Sequence, residues 1–271
     1  MTMKSLNKTK RIAFFGLGEA GSLIAADLQI AGFNITAYDP KSVITPLGIT
    51  RAKTASQAVT DADVVMAITA GYDALGALEQ ALDVIPVSAL YADLSTNSPK
   101  VKLELAKKAA AYDIDFVDVA LMTIVPGRGL RTPVTVSGTG AERFEKLFSP
   151  LQMPVNRLTG PAGQAATRKL LRSVMMKGLA AVIIESMRAG EAANCGEWLW
   201  QNLTDEITRA DQALITRLLV GTEAHADRRL HEMECSAQLL HDLGVEPTMT
   251  VAIADSLKLV RTNGLPKIPA E

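Results

Sequence analysis

The sequence predicts a doubly wound α/β domain followed by an all-α C-terminal domain. Three observations predict this fold class. Short apolar runs alternate with helical patterns over residues 11–160, which is typical of βαβ units and a mainly parallel sheet. A glycine-rich turn separates the first apolar run from the first helical pattern. After Gly160 the strand signal stops and a long helical pattern begins. We therefore expect one domain over residues 1–160 and a second, helical domain over residues 161–271.

Short apolar runs in the first domain predict its strands. They are bounded by turn residues and are nearly continuous in apolar character, as expected of strands that are buried on both faces. The predicted strands span residues 12–15, 33–38, 63–68, 89–92, 116–120, 131–138 and 155–159. Helical patterns connect several of them, at residues 19–31, 56–60 and 100–111.

The second domain shows helical patterns throughout. Ala, Leu, Met and Arg dominate residues 163–193, no proline interrupts them, and the run is too polar for a membrane helix. Further helical patterns span residues 196–211, 212–219, 226–243 and 248–261. Gly244 suits the C-terminal cap of the helix that precedes it.

Composition limits the classes of partner. Lys and Arg number 28 against 29 for Asp and Glu, which leaves a net charge of −1, and aromatic residues make up 4%. Without a basic excess or many rings, a nucleic acid or an anionic membrane has little support as a partner. No run of about 18 apolar residues is free of charge, so we expect no membrane span. Cys195 and Cys235 are too few for a disulfide framework, and we expect reduced thiols in a cytoplasmic protein.

The glycine-rich turn, residues 16–21 (GLGEAG), follows the G-x-G-x-x-G pattern of a dinucleotide-binding turn between a strand and a helix. Gly16 permits the tight turn, Gly18 lets the backbone approach a pyrophosphate, and Gly21 allows the helix to pack closely on the strand. The alternative is a structural turn, but its position favours a Rossmann-type domain. We predict that the whole turn contacts the cofactor: Gly16, Leu17, Gly18, Glu19, Ala20 and Gly21.

An acidic residue ends the second predicted strand. Asp39 lies 18 residues after Gly21, where a carboxylate hydrogen-bonds the ribose 2′-hydroxyl and repels a 2′-phosphate. The sequence therefore predicts NAD as cofactor, with NADP possible because the cations Lys41 and Arg51 follow nearby. Thr69 and Ala70 follow another strand, and we expect them at the same carboxyl edge of the sheet, where ligands bind.

Two further segments could carry chemistry. In residues 93–99 (DLSTNSP), the hydroxyls of Ser95 and Thr96 could bind a small carboxylate, although spacing alone favours a helix N-cap before proline. Lys169 and Ser173 lie four residues apart on the predicted long helix and share a face. A lysine beside a bound nicotinamide can act as a general acid or base. The alternative is a solvated lysine on a helix face.

Together, GLGEAGS, DLSTNSP and GPAGQAATRKLLRS resemble the β-hydroxyacid dehydrogenase superfamily in order and spacing over residues 11–195. This superfamily includes 3-hydroxyisobutyrate and 6-phosphogluconate dehydrogenases. The resemblance implies an NAD(P)-dependent oxidoreductase that moves a hydride between a nicotinamide cofactor and a small hydroxy acid or its carbonyl form. It also implies that Lys169 is the general acid–base, that Ser95 and Thr96 contact the substrate and nicotinamide, and that helical regions pair in a homodimer or higher homo-oligomer.

The sequence departs from the superfamily pattern on the long helix. Ser173 stands where members usually carry asparagine, and we expect it to donate a hydrogen bond to the substrate over a shorter reach. Met176 stands where 6-phosphogluconate dehydrogenases carry a glutamate that assists decarboxylation. Simple dehydrogenation is therefore favoured.

The substrate loop also departs from the pattern. A Ser-Gly-Gly motif would fall near residues 121–124, where this sequence has no glycine and where Thr123 is the expected substrate contact. Arg128 or Arg131 could supply a guanidinium for a carboxylate instead. The alternative is a surface loop with two solvated arginines.

Other functions remain as alternatives. An imine reductase shares the two-part layout but commonly lacks the catalytic lysine, and a non-catalytic NAD-binding protein would tolerate the altered loop. His231 and Cys235 lie four residues apart and could share a helix face as metal ligands. Since no further pair has recognisable spacing, we predict no metal site.

Overall fold

The computed structural model describes residues 10–41 and 44–267. By their internal contacts, the residues divide into two compact units, one ending at Arg172 and one beginning at Ser173. The first unit contains a mainly parallel sheet with helices, and the second is helical. The predicted fold class is therefore confirmed. The domain boundary near residue 160 stays a prediction.

The sheet of the first unit is wound outward from its first strand. Its strands are Arg11–Phe15 (β1), Asn34–Tyr38 (β2), Thr50–Arg51 (β3), Val64–Ala67 (β4), Leu90–Asp93 (β5), Asp115–Leu121 (β6), Val134–Ser137 (β7) and Val155–Arg157 (β8). Their order across the sheet is β3-β2-β1-β4-β5-β6-β7-β8. Every neighbouring pair is parallel except β6 and β7, which are antiparallel. The carboxyl ends of β1, β2, β4 and β5 therefore lie at one edge.

Helices cover both faces of this sheet. Ile12 and Phe14 of β1 contribute to one apolar core, and Ala13 and Phe15 contribute to the other, because successive side chains on a strand point to opposite faces. Residues of α1 and α5 belong to the first core, and those of α2, α3 and α4 belong to the second. These helices are Glu19–Ile30 (α1), Ala55–Val59 (α2), Ala74–Glu79 (α3), Pro99–Ala110 (α4) and Ala141–Phe148 (α5).

Among the strands and α-helices of the described residues, β3, α3 and α5 were not predicted from the sequence. β3 is a two-residue strand with both residues exposed, so no apolar run marks it. α3 has six residues and buries only Ala74 and Leu78. α5 has eight residues and buries Ala141, Phe144 and Phe148, which have the i, i+3 and i+7 spacing of a helix, so its pattern was overlooked. β3 and α3 are hidden because they bury no more than two residues each.

The long helix Gln164–Ala192 (α6) begins in the first unit and continues into the second. The other helices of the second unit are Gly196–Thr208 (α7), Gln212–Ala224 (α8), Ala226–Asp242 (α9) and Thr248–Asn263 (α10). Gly244 follows α9 with φ +71°, and its N–H donates to His241 O, as expected of a glycine C-cap. In the part of the chain that the structure describes, no helix is both long and apolar enough to cross a membrane.

A buried carboxylate caps α10. Glu185 of α6 accepts hydrogen bonds from Met249 N–H at 2.6 Å, Thr250 N–H at 2.8 Å and the Thr250 hydroxyl at 2.7 Å. Burial raises the pKa of Glu185, but the bonds from the Thr250 hydroxyl and the two backbone N–H groups lower it by more. Its pKa therefore lies below the ordinary glutamate value of 4.5. The charged cap also favours the positive end of the helix dipole.

We predict that Glu185→Gln loosens the first turn of α10. The amides of Met249 and Thr250 should exchange with deuterium about tenfold faster at neutral pH, because a charge-assisted bond is replaced by a neutral one. A carboxylate whose pKa is lowered by folding stabilises the fold above its unfolded pKa and loses this effect as the pH falls through its folded pKa. The difference between variant and parent should therefore shrink below pH 4.5.

The matched control for this prediction is Glu191→Gln, which changes an exposed glutamate of the same helix. Exchange at α10 should not respond to it. Equal exchange rates in Glu185→Gln and the parent at neutral pH would contradict the capping role.

Candidate active site

Two positions of the turn need glycine, because a side chain at either one would collide with backbone atoms. Gly16 has φ +88°, and a Cβ there would lie 2.3 Å from Ile68 O. A Cβ on Gly21 would lie 2.1 Å from Gly16 O, so a side chain would push α1 away from the turn. Gly18 differs, since a Cβ there would meet no heavy atom within 4 Å. The backbone at Gly18 is therefore open to a ligand.

The turn opens directly into α1. Gly18 is the N-cap, Glu19 is the first helical residue, and no side chain caps this end. The N-terminal N–H groups and the positive end of the helix dipole suit an anion such as a pyrophosphate. Leu17 is buried in the core, Ala20 packs against it, and Glu19 is exposed. The turn is therefore anchored in the core at Leu17 and leaves its backbone accessible at Gly18.

Asp39 holds the turn from the end of β2. Its Oδ2 accepts the Leu17 N–H at 2.7 Å, and its Oδ1 accepts the Lys41 N–H at 2.8 Å. Arg51 donates to the carbonyls of Asp39 at 2.7 Å and Lys41 at 2.8 Å. The carboxylate predicted to select the cofactor is therefore fixed beside the glycine-rich turn.

A cavity of about 440 Å³ lies along this part of the sheet edge. It is lined by the turn at Gly16 and Gly18, by Asp39, and by Thr69 and Ala70 beyond β4. The volume is in the range of small-molecule sites. Thr69 Oγ1 is buried and has no hydrogen-bond partner among the described residues. An unpaired buried hydroxyl, an open glycine and an uncapped helix end together fit a dinucleotide.

Lys169 reaches the loop that follows β5. Its Nζ donates to Thr96 Oγ1 at 2.8 Å. Lys169 is half-buried on α6, and Thr96 is exposed. Because the Thr96 oxygen accepts this bond, its own O–H remains a donor. The structure thus brings together two residues that the sequence placed in the site, and both lie in the first unit.

Ser95 is engaged within the protein. It is 4% exposed, its hydroxyl donates to Asp93 Oδ2 at 2.9 Å, and its N–H donates to Asp93 Oδ1 at 3.2 Å. Asn97 Nδ2 donates to Ser95 Oγ at 3.0 Å and to Gly71 O at 2.9 Å, which joins the loops after β4 and β5. The capping alternative applies to Ser98, which accepts the Val101 N–H at 3.3 Å and starts α4.

A group of buried charges, which the sequence analysis missed, lies beneath this loop. Lys102 of α4 contacts Asp93 Oδ2 at 2.7 Å and Asp118 Oδ1 at 3.2 Å. Asp118 Oδ2 in turn accepts the N–H groups of Gly163 and Ala166, each at 3.0 Å, at the start of α6. A signal was present, since charged residues interrupt the apolar runs of β5 and β6 and such residues are rarely buried unpaired.

The loop after β6 is held by its own hydrogen bonds. Met122 N–H donates to Pro133 O at 2.9 Å, and Leu130 N–H donates to Asp27 Oδ2 of α1 at 2.7 Å. Thr123 is half-buried and Arg128 is exposed, and neither lines the small cavity beside Lys169. Their predicted substrate contacts stay predictions.

Two other sequence candidates lie in the second unit. Ser173 is half-buried on α6, one turn beyond Lys169. His231 Nε2 lies 3.7 Å from Cys235 Sγ on α9, as their spacing suggested. Within the described ranges, no group of three or more His, Cys, Asp or Glu residues is arranged to hold a metal ion.

Comparison with known proteins identifies the domains. Residues 11–143 match the family described as the NAD binding domain of 6-phosphogluconate dehydrogenase, and residues 191–260 match a domain of unknown function, DUF1932. Mitochondrial 3-hydroxyisobutyrate dehydrogenase of Drosophila melanogaster is 27% identical over 210 residues, which cover 71% of this chain and 63% of that protein. An uncharacterized 28.5 kDa protein of Methanothermus fervidus is 25% identical over 82% of this chain and 88% of its own length.

Solved structures share the fold. An imine reductase from Myxococcus stipitatus, in complex with NADP+, has a TM-score of 0.79 at 18% identity and covers 94% of this chain and 95% of its own. The match of residues 11–143 and the relatives named 3-hydroxyisobutyrate dehydrogenase confirm the resemblance to the β-hydroxyacid dehydrogenase superfamily. Residues 11–143 are an NAD-binding domain of the 6-phosphogluconate dehydrogenase type, and the cofactor is NAD(P).

We predict that substitutions at two glycines of the turn affect different properties, cofactor binding at Gly18 and stability at Gly16. Gly18→Val should lower stability by no more than about 1 kcal/mol, because its Cβ meets no atom within 4 Å and the remaining cost is that of an apolar N-cap. It should abolish NADH binding by blocking the approach to the backbone. Gly16→Ala should destabilise the fold by about 1–3 kcal/mol, because it combines positive φ with a contact to Ile68 O.

Thermal unfolding and NADH fluorescence titration measure the two effects separately. Wild-type NADH affinity in a folded Gly18→Val variant would show that the ligand does not approach the turn at this glycine.

Proposed function

We propose that this protein, whose first half carries an NAD-binding domain of the 6-phosphogluconate dehydrogenase type, transfers a hydride between a nicotinamide cofactor and a small hydroxy acid or its carbonyl form. Lys169 is the general acid–base. The observation that supports this most directly is the 2.8 Å hydrogen bond from Lys169 Nζ to Thr96 Oγ1. It sets a proton-carrying group beside a hydroxyl at the sheet edge that also carries the cofactor cavity.

The protein's part in this reaction is binding and proton transfer. When bound, the nicotinamide supplies or accepts the hydride. Lys169 Nζ takes the proton of the substrate hydroxyl during oxidation and returns it to the carbonyl oxygen during reduction. Thr96 accepts a hydrogen bond from Nζ, which fixes the direction of the amine, and its O–H is left to donate to the substrate oxygen.

Asp39 supports NAD as the preferred cofactor. Its carboxylate lines the cavity and is held by the N–H groups of Leu17 and Lys41. The 2′-phosphate of NADP would lie beside this negative charge, whereas the ribose hydroxyls of NAD can donate hydrogen bonds to the carboxylate. Lys41 and Arg51 are the nearby cations, and Arg51 donates to two backbone carbonyls.

We therefore predict that NADH binds more tightly than NADPH, by about tenfold or more, because like charges would face each other in the NADPH complex. Fluorescence titration with both cofactors measures the two dissociation constants. A lower dissociation constant for NADPH would reverse the assignment and would give the 2′-phosphate to Lys41 and Arg51.

Imine reduction is the second candidate. The loop after β6 has no glycine at residues 121–124, and the Met122 N–H is bonded to Pro133 O. This loop therefore offers a carboxylate fewer free backbone donors, which favours a substrate without one. Lys169 favours the hydroxy acid, because hydride transfer at an alcohol requires a group to take its proton.

A substrate panel and one variant separate these candidates. With the best substrate from a panel of hydroxy acids with NAD and cyclic imines with NADH, Lys169→Ala should lower kcat by about 10²–10⁴-fold, while NADH affinity changes little. Lys177→Ala, at an exposed lysine further along α6, is the matched control and should retain activity.

Three other results of these assays would each decide between the candidate functions. Unchanged turnover of a hydroxy acid by Lys169→Ala would refute the mechanism. Turnover of imines but of no hydroxy acid would establish the second candidate. Tight NADH binding without turnover of any compound in the panel would favour a non-catalytic NAD-binding protein.

We also propose a homodimer or higher homo-oligomer. The second unit leaves large apolar side chains exposed, including Ile184 at 52%, Trp198 at 65% and Trp200 at 56%. Exposed apolar residues in such number on a helical unit are typical of an association surface. We expect light scattering at micromolar concentration to give at least twice the 28.9 kDa mass of the chain. A monomer mass would refute the proposal.

A further inference from the structure

One lysine is buried where two neighbouring strands each carry an aspartate. Asp93 of β5 and Asp118 of β6 are register partners, and their side chains are 1% and 0% exposed. Lys102 is 1% exposed, and its Nζ contacts Asp93 Oδ2 at 2.7 Å, Asp93 O at 3.0 Å and Asp118 Oδ1 at 3.2 Å. An ammonium has three N–H donors. Two of them donate to Asp93, at Oδ2 and at the backbone O. The contact with Asp118 Oδ1 is an ion pair without hydrogen-bond geometry. Lys102 therefore bridges the two strands by hydrogen bonds on one side and by charge on the other.

Stability alone does not account for this arrangement. Burying ions removes them from water at a cost that their mutual attraction only partly recovers, and well-packed apolar residues are often as stable. A buried ion group does specify geometry, because its members must meet at hydrogen-bond distance. What the bridge positions is therefore the relevant question.

The contacts of Lys102 extend in two directions, which we call the Asp118 arm and the Asp93 arm. The Asp118 arm leads to Lys169. Asp118 Oδ2 accepts the N–H groups of Gly163 and Ala166, which lie at the first turn of α6. Ser137 Oγ accepts the Ala165 N–H at 3.1 Å, which adds a third tie between the sheet and this turn. Lys169 is three residues beyond Ala166, on the next turn. Asp118 thus fixes where the helix starts and where Lys169 projects.

The Asp93 arm leads to Thr96. Asp93 accepts hydrogen bonds from the N–H and the hydroxyl of Ser95, the residue before Thr96. The two arms meet at the 2.8 Å bond between Lys169 Nζ and Thr96 Oγ1. The contacts form a closed ring, in which Lys102 lies on the side opposite the Lys169–Thr96 bond.

We propose that Lys102 is a positioning residue, which holds the helix start at Asp118 and the loop at Asp93 at the spacing that the Lys169–Thr96 bond requires. Its effect on turnover rests on the proposed function, whereas its effect on the exposure of Lys169 does not. Lys102 itself stays buried beneath the loop and does not act on the substrate.

Two variants test the proposal. Lys102→Met removes the bridge but leaves two buried carboxylates facing each other, which endangers folding. Lys102→Met combined with Asp93→Asn removes one charge of each sign. It leaves Asp118 as the cap of α6 and leaves an oxygen at position 93 for Ser95. The double variant therefore keeps both arms and breaks only their connection.

The first readout is the acetylation rate of the Lys169 amine by acetic anhydride, followed by peptide mass spectrometry of the full-length protein. Loss of the bond to Thr96 should raise this rate by about tenfold in either variant. The matched control is Lys100→Met, which removes an exposed lysine two residues earlier, and the rate should stay at the wild-type value.

The second readout is turnover of whichever substrate the panel identifies. We expect kcat to fall by about 10²-fold in the double variant, with KM and the NADH dissociation constant within about twofold of wild type. A residue that only stabilised the fold would not produce this separation in a folded variant.

If Lys102→Met does not fold, the double variant decides. A folded double variant with the wild-type acetylation rate at Lys169 would overturn the proposal, and so would wild-type kcat. Faster acetylation of Lys169, in a protein that turns over no substrate of the panel, would support the positioning role while the proposed function fails.

Discussion

The contact on which the site depends is the sharing of one buried ammonium between the carboxylates of Asp93 and Asp118. Parallel strands bring the two aspartates side by side, where they would repel each other in a low-dielectric interior without a cation. Lys102 offsets this repulsion, because its ammonium contacts both carboxylates. Asp118 can then accept the first N–H groups of α6, and Asp93 can order the loop after β5. The long helix and the loop are thus both ordered by one electrostatic arrangement.

Topology divides the sheet edge between two tasks. The carboxyl ends of β1, β2 and β4 surround the cavity proposed for the cofactor. The buried charges lie at Asp93, which ends β5, and at Asp118 within β6, and the loop with Thr96 follows β5. The two parts are joined by Asn97, whose amide donates to Gly71 O beyond β4 and to Ser95 Oγ beyond β5. The cofactor side and the Lys169 side are therefore continuous through hydrogen bonds within one compact unit.

The fold could be read largely from the sequence because its determinants are local. Buried parallel strands give apolar runs, and the turn at Gly16 needs a positive φ, which favours glycine. β3 and α3 could not be read, since they bury no more than two residues each, whereas the helical repeat of α5 was present and was overlooked. The site was only partly predictable. Ser95 and Thr96 are adjacent hydroxyl residues, and the sequence does not show which of them is accessible. In the structure, Ser95 is buried in a hydrogen-bond network, whereas Thr96 is exposed and accepts a bond from Lys169.

The buried charges were the largest gap between sequence and structure. Asp118 contacts groups 45 and 48 residues away along the chain, at Gly163 and Ala166. No local pattern encodes such a pairing, which exists only once the sheet and α6 have come together. The one available sign was a charged residue within an apolar run, and that sign indicates that a partner exists without indicating which.

The bond between Asp39 and the Leu17 N–H has a consequence for redesign. The same carboxylate that lines the cofactor cavity also anchors the glycine-rich turn. Its replacement, as a route to a different coenzyme, would release the backbone donor of Leu17 and loosen the turn. If the turn binds the pyrophosphate and Asp39 binds the ribose, as proposed, coenzyme selectivity and phosphate binding are coupled traits. Remodelling of one has to supply a new acceptor for Leu17 before it can preserve the other.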